Sequence, residues 1–395
     1  LVPIVTVPYF ARTLGIAGIG QIAVAGAVGL AASVLMDYGI TLSGTRFAAK
    51  KVSDGEALSQ YLSTTSILKL LIFVPLSVAI LASALFVSTV AAHFWVFFWS
   101  IVSAGCLVLF PQWLFQGLLI VPASARILVS TRVLSAVSAI MLVRTPADTY
   151  IVPMTQALGG IIALVAAAMV LRRSFAIRFQ KPTRADFDGL LRENWKLFTA
   201  TAWGGVHTHG SIIIMGALLS PTSIGFYSIA QRISQAFVSV FNIAAQTVFP
   251  SFVRAYARQS DAVDRQTKTY VGLAAACAFL CLTALFILRE PIYYFFSGER
   301  SALGIAVFSI WIFASFFTVI SVSLNPIMVA MNFDGPLARV YRFTGLAFLI
   351  GAPIGSLYLD AVGVALATLI PECVMAIYCL AVVFRGARRE LTSAG

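Results

Sequence analysis

Long apolar runs alternate with short polar clusters along this chain, and the runs define its elements. Residues 70–125 contain no Asp, Glu, Lys or Arg, and further charge-free runs cover 149–171, 197–231, 233–253, 269–288, 301–333 and 343–359. A last apolar run, 361–384, is interrupted by Glu372 alone. A helix that crosses a bilayer needs about 20 predominantly apolar residues, so every run has room for at least one crossing. Dividing the longer runs at their turn signals predicts helices over 21–45, 60–88, 92–118, 121–143, 150–172, 193–219, 225–253, 268–288, 302–331, 337–359 and 361–384. The opening Leu1–Phe10 is too short to span and reads as the outer end of a truncated first helix, for an expected total of about twelve. The runs are too long, and alternate too little, for the roughly ten-residue strands of a membrane β-barrel.

Composition removes the soluble classes. Hydrophobic residues make up 60% of the 395 and charged residues 11%, with a mean hydropathy of +0.94, against about 25% charged in a soluble domain. Five cysteines and three histidines leave no disulfide framework and no zinc cluster, and no cofactor or metal is expected. There is no Walker loop, no His-Glu-x-x-His and no Asp-rich phosphate motif. The glycines of GIAGIG (15–20) stand in the wrong order for a dinucleotide fingerprint, and the segment is expected in an external loop. Catalysis is therefore not expected.

The net charge of +12 suggests nucleic acid until its distribution is read. Of the 27 Lys and Arg, 22 fall in even-numbered loops, the helix ends beside them and the C-terminal tail, with seven in Arg172–Lys196. The odd loops hold Arg12, Arg144, Arg289 and Arg300, and Arg232 lies inside a predicted helix. Basic loops mark the cytoplasmic side of a membrane protein. The expectation is a multi-pass membrane protein with both termini cytoplasmic and no nucleic-acid partner.

The segment Arg172–Lys196 also divides the chain. The expected organisation is an N-terminal six-helix lobe (1–178), a cytoplasmic linker (179–192) and a C-terminal six-helix lobe with a short basic tail (193–395). At an offset of 205 residues Ile19-Gly20 falls on Ile224-Gly225, Asp37 on Asn242 and Thr41 on Gln246; ten further residues bring Pro111 onto Pro326. Chance likeness between apolar helices competes with a true repeat. A true repeat with an even number of helices implies parallel copies, a central cavity between the lobes and alternating access by rocking.

Polar residues inside apolar helices are the candidate site. On the eighth helix Ser228, Arg232, Gln235, Ser239, Asn242 and Gln246 recur at three- and four-residue steps, which share one helix face. Such a stripe lines an aqueous cavity or binds another polar helix, and an Arg at mid-membrane is costly enough to suggest a function. On the second helix Gly26, Gly29, Ser33, Asp37, Thr41 and Gly44 form a related stripe. Its glycines are explained by close packing, but Asp37 needs a cation, a proton or an ion. The seventh helix carries Thr199, Trp203, His207 and Ser211 at four-residue steps. His207 and His209 are two apart, on different faces, which excludes a zinc pair. His207 is a protonatable coupling group or a packing residue, and Glu372 a proton site or a partner for an arginine. Gln112, Gln116, Arg132, Gln156 and Asn325 are further interior candidates.

These residues resemble a family. VPYFARTLGIAGIG (7–20) and MDYGITLSGTR (36–46) are similar to the opening of bacterial polysaccharide repeat-unit flippases of the Wzx type, within the multidrug/oligosaccharidyl-lipid/polysaccharide exporter superfamily. The pattern is carried by Pro8, Tyr9, Arg12, Leu14, Gly15, Asp37, Tyr38, Gly39, Ser43, Thr45 and Arg46, with Tyr38 where the family has Phe. FPQWLFQGL (110–118) resembles the family's fourth-helix signature and GFYSIAQRI (225–233) the start of its eighth helix. LLIVPASA follows Gln116-Gly117 where members often carry charged residues.

The resemblance implies two six-helix bundles with helices 1, 2, 7 and 8 lining a central cavity. It implies an undecaprenyl-pyrophosphate-linked oligosaccharide, moved between leaflets beside a polysaccharide polymerase and a chain-length regulator. On that reading, in the bacterial inner membrane, Arg232, Arg46 and Arg12 pair with pyrophosphate or acidic sugars, Gln235, Asn242 and Gln246 bond hydroxyls, and Gln116 is a further substrate-binding, cavity-lining residue. Asp37, His207 and Glu372 are the ion-coupling candidates. The competing expectations are a cation-coupled multidrug exporter of the same superfamily and a membrane-embedded glycan polymerase. The last would need a large external loop that the sequence lacks.

Overall fold

The computed structural model describes residues 2–52, 54–175, 177–257, 262–330 and 333–393; side chains are not described at 2–3, 196, 200–209, 247, 249–257, 262–266, 326, 329–330, 334, 336–338 and 384–393. Fourteen helices follow in order: α1 (Val2–Asp37), α2 (Ile40–Lys50), α3 (Gly55–Ala82), α4 (Ser88–Ala92), α5 (Phe94–Leu109), α6 (Gln112–Gly117), α7 (Val121–Leu142), α8 (Ile151–Phe175), α9 (Arg184–Leu218), α10 (Pro221–Ala257), α11 (Ala262–Ile287), α12 (Arg289–Ser297), α13 (Ala302–Ala330) and α14 (Asp334–Ser393). Two are broken inside, α1 at Gly15 (φ 76°) and α14 at Leu359–Asp360 (φ −132° and 55°). No strand occurs among the described residues.

Among the described residues, eight stretches are long and apolar enough to cross a membrane, from Ile4–Asp37 to Arg339–Val383. The first and last of these contain the two breaks. With α9 and α10, which carry much of the polar sequence, they reproduce the order of helices read from the apolar runs. The protein is an all-α polytopic membrane protein.

Four local expectations are corrected. GIAGIG is helical rather than a loop, because α1 turns at Gly15 without leaving helical hydrogen bonding on either side. The helix expected at 21–45 ends at Asp37 and restarts as α2, and that expected at 92–118 breaks between α5 and α6. α9 starts at Arg184 instead of 193. Thr183 and Asp186 make the start: the Asp186 carboxylate accepts the Thr183 backbone N–H and hydroxyl, both at 2.7 Å, satisfying a donor ahead of the first turn. These bonds, the hydroxyl first, with a third from Gln60 Nε2 (2.7 Å), hold the Asp186 carboxyl below the usual carboxylate range.

The segment before α9 is stitched to α3. Ser59 and Ser63, one helical turn apart, accept the backbone N–H groups of Arg178 (3.1 Å) and Gln180 (2.8 Å), so alternate residues of an extended strip meet successive turns of a helix. The chain forms two compact units, 1–213 and 214–395. The core of unit 1 gathers Ile40, Trp113, Leu114, Phe115 and Leu171; that of unit 2 gathers Leu324, Met328, Val340, Met375 and Cys379.

Candidate functional site

In unit 1 two helix breaks converge on one lysine. Between α1 and α2 the backbone turns through Tyr38 (φ 49°) and Gly39 (φ 73°). A side chain at Gly39 would be strained at that φ, and its Cβ would stand 2.8 Å from the Leu197 Cβ on α9. The Tyr38 ring stacks on Phe198, with ring centroids 4.6 Å apart. Asp37 bridges the break: its carboxylate accepts the Thr41 hydroxyl at 2.7 Å and the Thr41 N–H at 3.2 Å. An acidic side chain suits the N-terminus of α2 but not the C-terminus of α1, where the backbone dipoles already present negative charge.

Lys69 on α3 resolves that conflict. Its Nζ lies 2.9 Å from Asp37 Oδ1 and donates at 2.9 Å to the Val108 carbonyl, with 3% of the lysine side chain and 21% of the aspartate exposed. The carbonyl is free because of Pro111. A continuous helix would send the Gln112 N–H back to Val108, but the chain breaks at Phe110–Pro111 and that N–H goes to Phe110 O at 2.8 Å. Lys69 thus neutralises the carboxylate at one helix break and fills the carbonyl orphaned at another.

A pocket of about 260 Å³ opens beside this cluster, lined by Ser33, Asp37, Thr41, Val108, Phe110 and Gln112 among others. The Gln112 Oε1 is buried and has no hydrogen-bond partner among the described residues. From Asp37 the bonds continue along α2: Thr45 Oγ1 donates to the Thr41 carbonyl (2.8 Å) and to Gln116 Oε1 (3.3 Å). The FPQWLFQGL segment is explained by this division. Phe110, Trp113, Leu114 and Phe115 fill the core, whereas Gln112 faces the pocket and Gln116 meets α2. Close approach of α2 and α6 depends on Gly44, where a Cβ would come within 2.7 Å of the Trp113 ring.

Of the other expected residues in unit 1, Arg12 and Arg46 stay outside this cluster. Arg12 is exposed one turn before the Gly15 break, and its Nη1 donates to the Pro8 carbonyl at 3.2 Å. Arg46 is exposed on α2. The His207 side chain, with those of Trp203 and His209, lies outside the described residues.

In unit 2, burial on α10 changes along its length. Ile224, Tyr227, Ser228, Gln231 and Ser234 are buried, whereas Arg232, Gln235, Ser239, Asn242 and Gln246 are exposed. Ser228 shares the helix face of Gln246 but lies at its packed N-terminal end, donating to Gly225 O at 3.0 Å, and the open stripe begins at Arg232. Gln246 Nε2 donates to Asn242 Oδ1 at 3.3 Å, at the positions that the 205-residue offset aligns with the bonded Thr41–Asp37 pair. Glu372 is half-buried against the Thr318 hydroxyl, near Tyr341, whose OH accepts from Asn325 Nδ2 at 3.0 Å. Among the described residues the ion pairs are Asp37–Lys69 and the surface pair Lys51–Asp54, so Glu372 is not paired with an arginine there. No group of acidic, His and Cys side chains able to hold a metal occurs among the described residues.

The sequence singles out Asp37 and Gln116 as site residues and Thr45 as part of the family pattern, but not Lys69 or the Val108 carbonyl. Lys69 falls among the 22 basic residues of loops and helix ends. The available signal was its place in SILKLLIF, well inside an apolar helix.

Charged and amide side chains are thus held within the apolar helices of a polytopic membrane fold. Solved structures agree on that fold. A multidrug resistance MATE family transporter of the MOP superfamily, in an inward-facing conformation, matches 98% of this chain and 94% of its own with a TM-score of 0.74 at 14% identity. The lipid II flippase MurJ, in an inward closed conformation, matches 97% of this chain and 85% of its own with a TM-score of 0.70 at 15% identity. The chain itself belongs to the polysaccharide biosynthesis protein family, whose profile matches residues 1–256. A protein of Escherichia coli (strain K12) named "Putative O-antigen transporter" is 26% identical over 261 residues, and the match covers 63% of this chain and 60% of that relative's length. Its namesake in Shigella dysenteriae is 22% identical over 384 residues, 96% of this chain and 95% of its own.

Proposed function

We propose that this protein is a flippase for lipid-linked oligosaccharide repeat units, carried on undecaprenyl pyrophosphate across the bacterial inner membrane by alternating access. The observation that carries the reading is the open stripe on α10: Arg232, Gln235, Asn242 and Gln246 exposed on one face of a helix in a membrane-spanning chain. Sugars and pyrophosphate cannot pass hydrocarbon unaided. A face of amides and one guanidinium replaces their hydration by hydrogen bonds and an ion pair, while the polyprenyl tail stays in lipid. The family membership and the two O-antigen transporter relatives support this substrate class. Asp37 and His207 in unit 1 and Glu372 in unit 2 are each candidate groups for coupling to an ion gradient, and Arg12 and Arg46 meet the substrate's negative charge. A polysaccharide polymerase and chain-length regulator act downstream, and the protein catalyses no bond change.

Arg232→Ala should abolish surface polysaccharide in a strain that depends on this protein while its membrane level stays normal. Unchanged polysaccharide would remove Arg232 from the path. A deletion strain that lost dye resistance and kept its polysaccharide would identify a cation-coupled drug exporter instead.

A further inference from the structure

A second cleft in unit 1, of about 520 Å³, lies between α3 and α8 and is closed at one end by the extended strip 177–180. Its walls are apolar, with Leu62, Pro111 and Leu164, and its polar lining includes Arg172, Arg178 and the Ser66 hydroxyl. Both arginines are exposed, and neither belongs to an ion pair among the described residues. The strip that carries Arg178 is held by Ser59 and Ser63, so the two guanidiniums sit on ordered backbone.

The cleft continues onto the apolar exterior of the unit. Ser66, Leu70 and Val74 follow at one-turn spacing on α3, with the last two 42% and 55% exposed. On α8 the same spacing leads from Arg172 through Ala168 to Val165 and Ile161, which are 54% and 43% exposed. Both faces run away from the arginines toward mid-membrane. The leaflet is the basic, cytoplasmic one, since Arg172 stands at the end of an apolar helix beside the most basic segment of the chain.

We propose that this cleft binds an anionic glycerophospholipid of the cytoplasmic leaflet. Its phosphate sits between Arg172 and Arg178 with the Ser66 hydroxyl, and one acyl chain lies in the groove between α3 and α8. Cation placement at the headgroup level above an apolar groove is the chemistry of lipid headgroup recognition. The site is separate from the pocket at Asp37 and is independent of the substrate proposed above.

The test is native mass spectrometry of the full chain in detergent, titrated with phosphatidylglycerol or with phosphatidylethanolamine of identical acyl chains. Wild type should retain phosphatidylglycerol preferentially. Arg172→Gln/Arg178→Gln should weaken that retention at least about tenfold, and Arg172→Lys/Arg178→Lys should keep most of it. Arg173→Gln, whose exposed arginine is not in the cleft, should change it little; an equal loss there would reduce the effect to general surface attraction and overturn the site. Equal retention of both lipids by wild type, or undiminished phosphatidylglycerol binding by the Gln pair, would also overturn it. Stoichiometric displacement of phosphatidylglycerol by undecaprenyl pyrophosphate would assign the cleft to the transported lipid instead. The Lys pair and a size-exclusion profile separate loss of the site from loss of the fold.

Discussion

Lys69 shows how one buried cation can organise three helices. Its ammonium meets a carboxylate at the end of α1 and a carbonyl exposed by the break after α5, from a position with 3% of its side chain exposed. Breaking such a pair by removing one partner leaves an uncompensated buried charge and costs about 3–5 kcal/mol, whereas replacing both partners with neutral groups is often tolerated. Lys69→Met should therefore destabilise the protein by about that amount, measured as thermal unfolding in detergent. The double variant Lys69→Met/Asp37→Asn should recover most of the loss. A Lys69→Met protein as stable as wild type would mean that the pair does not hold these breaks together. The need for a cation near Asp37 was legible, because an aspartate beside apolar helix has few ways to remain charged. Its source was not, since the partners stand 32 and 39 residues from Lys69 in sequence and only helix register brings them within 3 Å.

At the scale of elements, helix ends decide the site. Apolar runs reveal where helices can lie, but a run of hydrophobic residues reads alike whether its helix is whole or broken. Gly39 and Pro111 interrupt otherwise apolar stretches without any polar loop, and the breaks themselves produce the free N–H and C=O groups that Asp37 and Lys69 satisfy. Gly39→Ala should cost at least about 1 kcal/mol from the left-handed backbone alone, with more from the Leu197 contact, and should reduce amide-exchange protection in α2. Gly26→Ala is the control, because the close packing expected of this stripe holds at Gly29 and Gly44 but not at Gly26: no described residue lies within 4 Å of a Cβ there, and replacing a helical glycine should leave stability equal or raised by about 0.5–1 kcal/mol. Equal effects at the two positions would contradict the strain account. The early start of α9 is local instead: Thr183 and Asp186 stand at capping-box spacing and bond each other across the first turn.

For the whole molecule, the arrangement of positive charge gives a topology that can be tested directly. With the five native cysteines replaced, a cysteine at exposed Ser174, in the last turn of α8, should react with a membrane-impermeant maleimide only from the cytoplasmic side. One at exposed Ala147, between α7 and α8, should react only from outside. Labelling of both from one side would break the alternation on which the even loops were assigned.

By itself the sequence determined the membrane, the order of the helices and the basic side, because each follows from hydrophobicity and charge summed over some twenty residues, quantities that survive any rearrangement of neighbours. It also singled out α10, whose polar face is set by helical periodicity alone. Only the tertiary structure decided that Ser228 is buried at one end of that face, that Arg12 and Arg46 stand apart from Asp37, and that Lys69 joins two helix breaks. Those outcomes depend on which groups lie within about 3 Å of one another, and that is fixed by packing between helices rather than by spacing along any one of them.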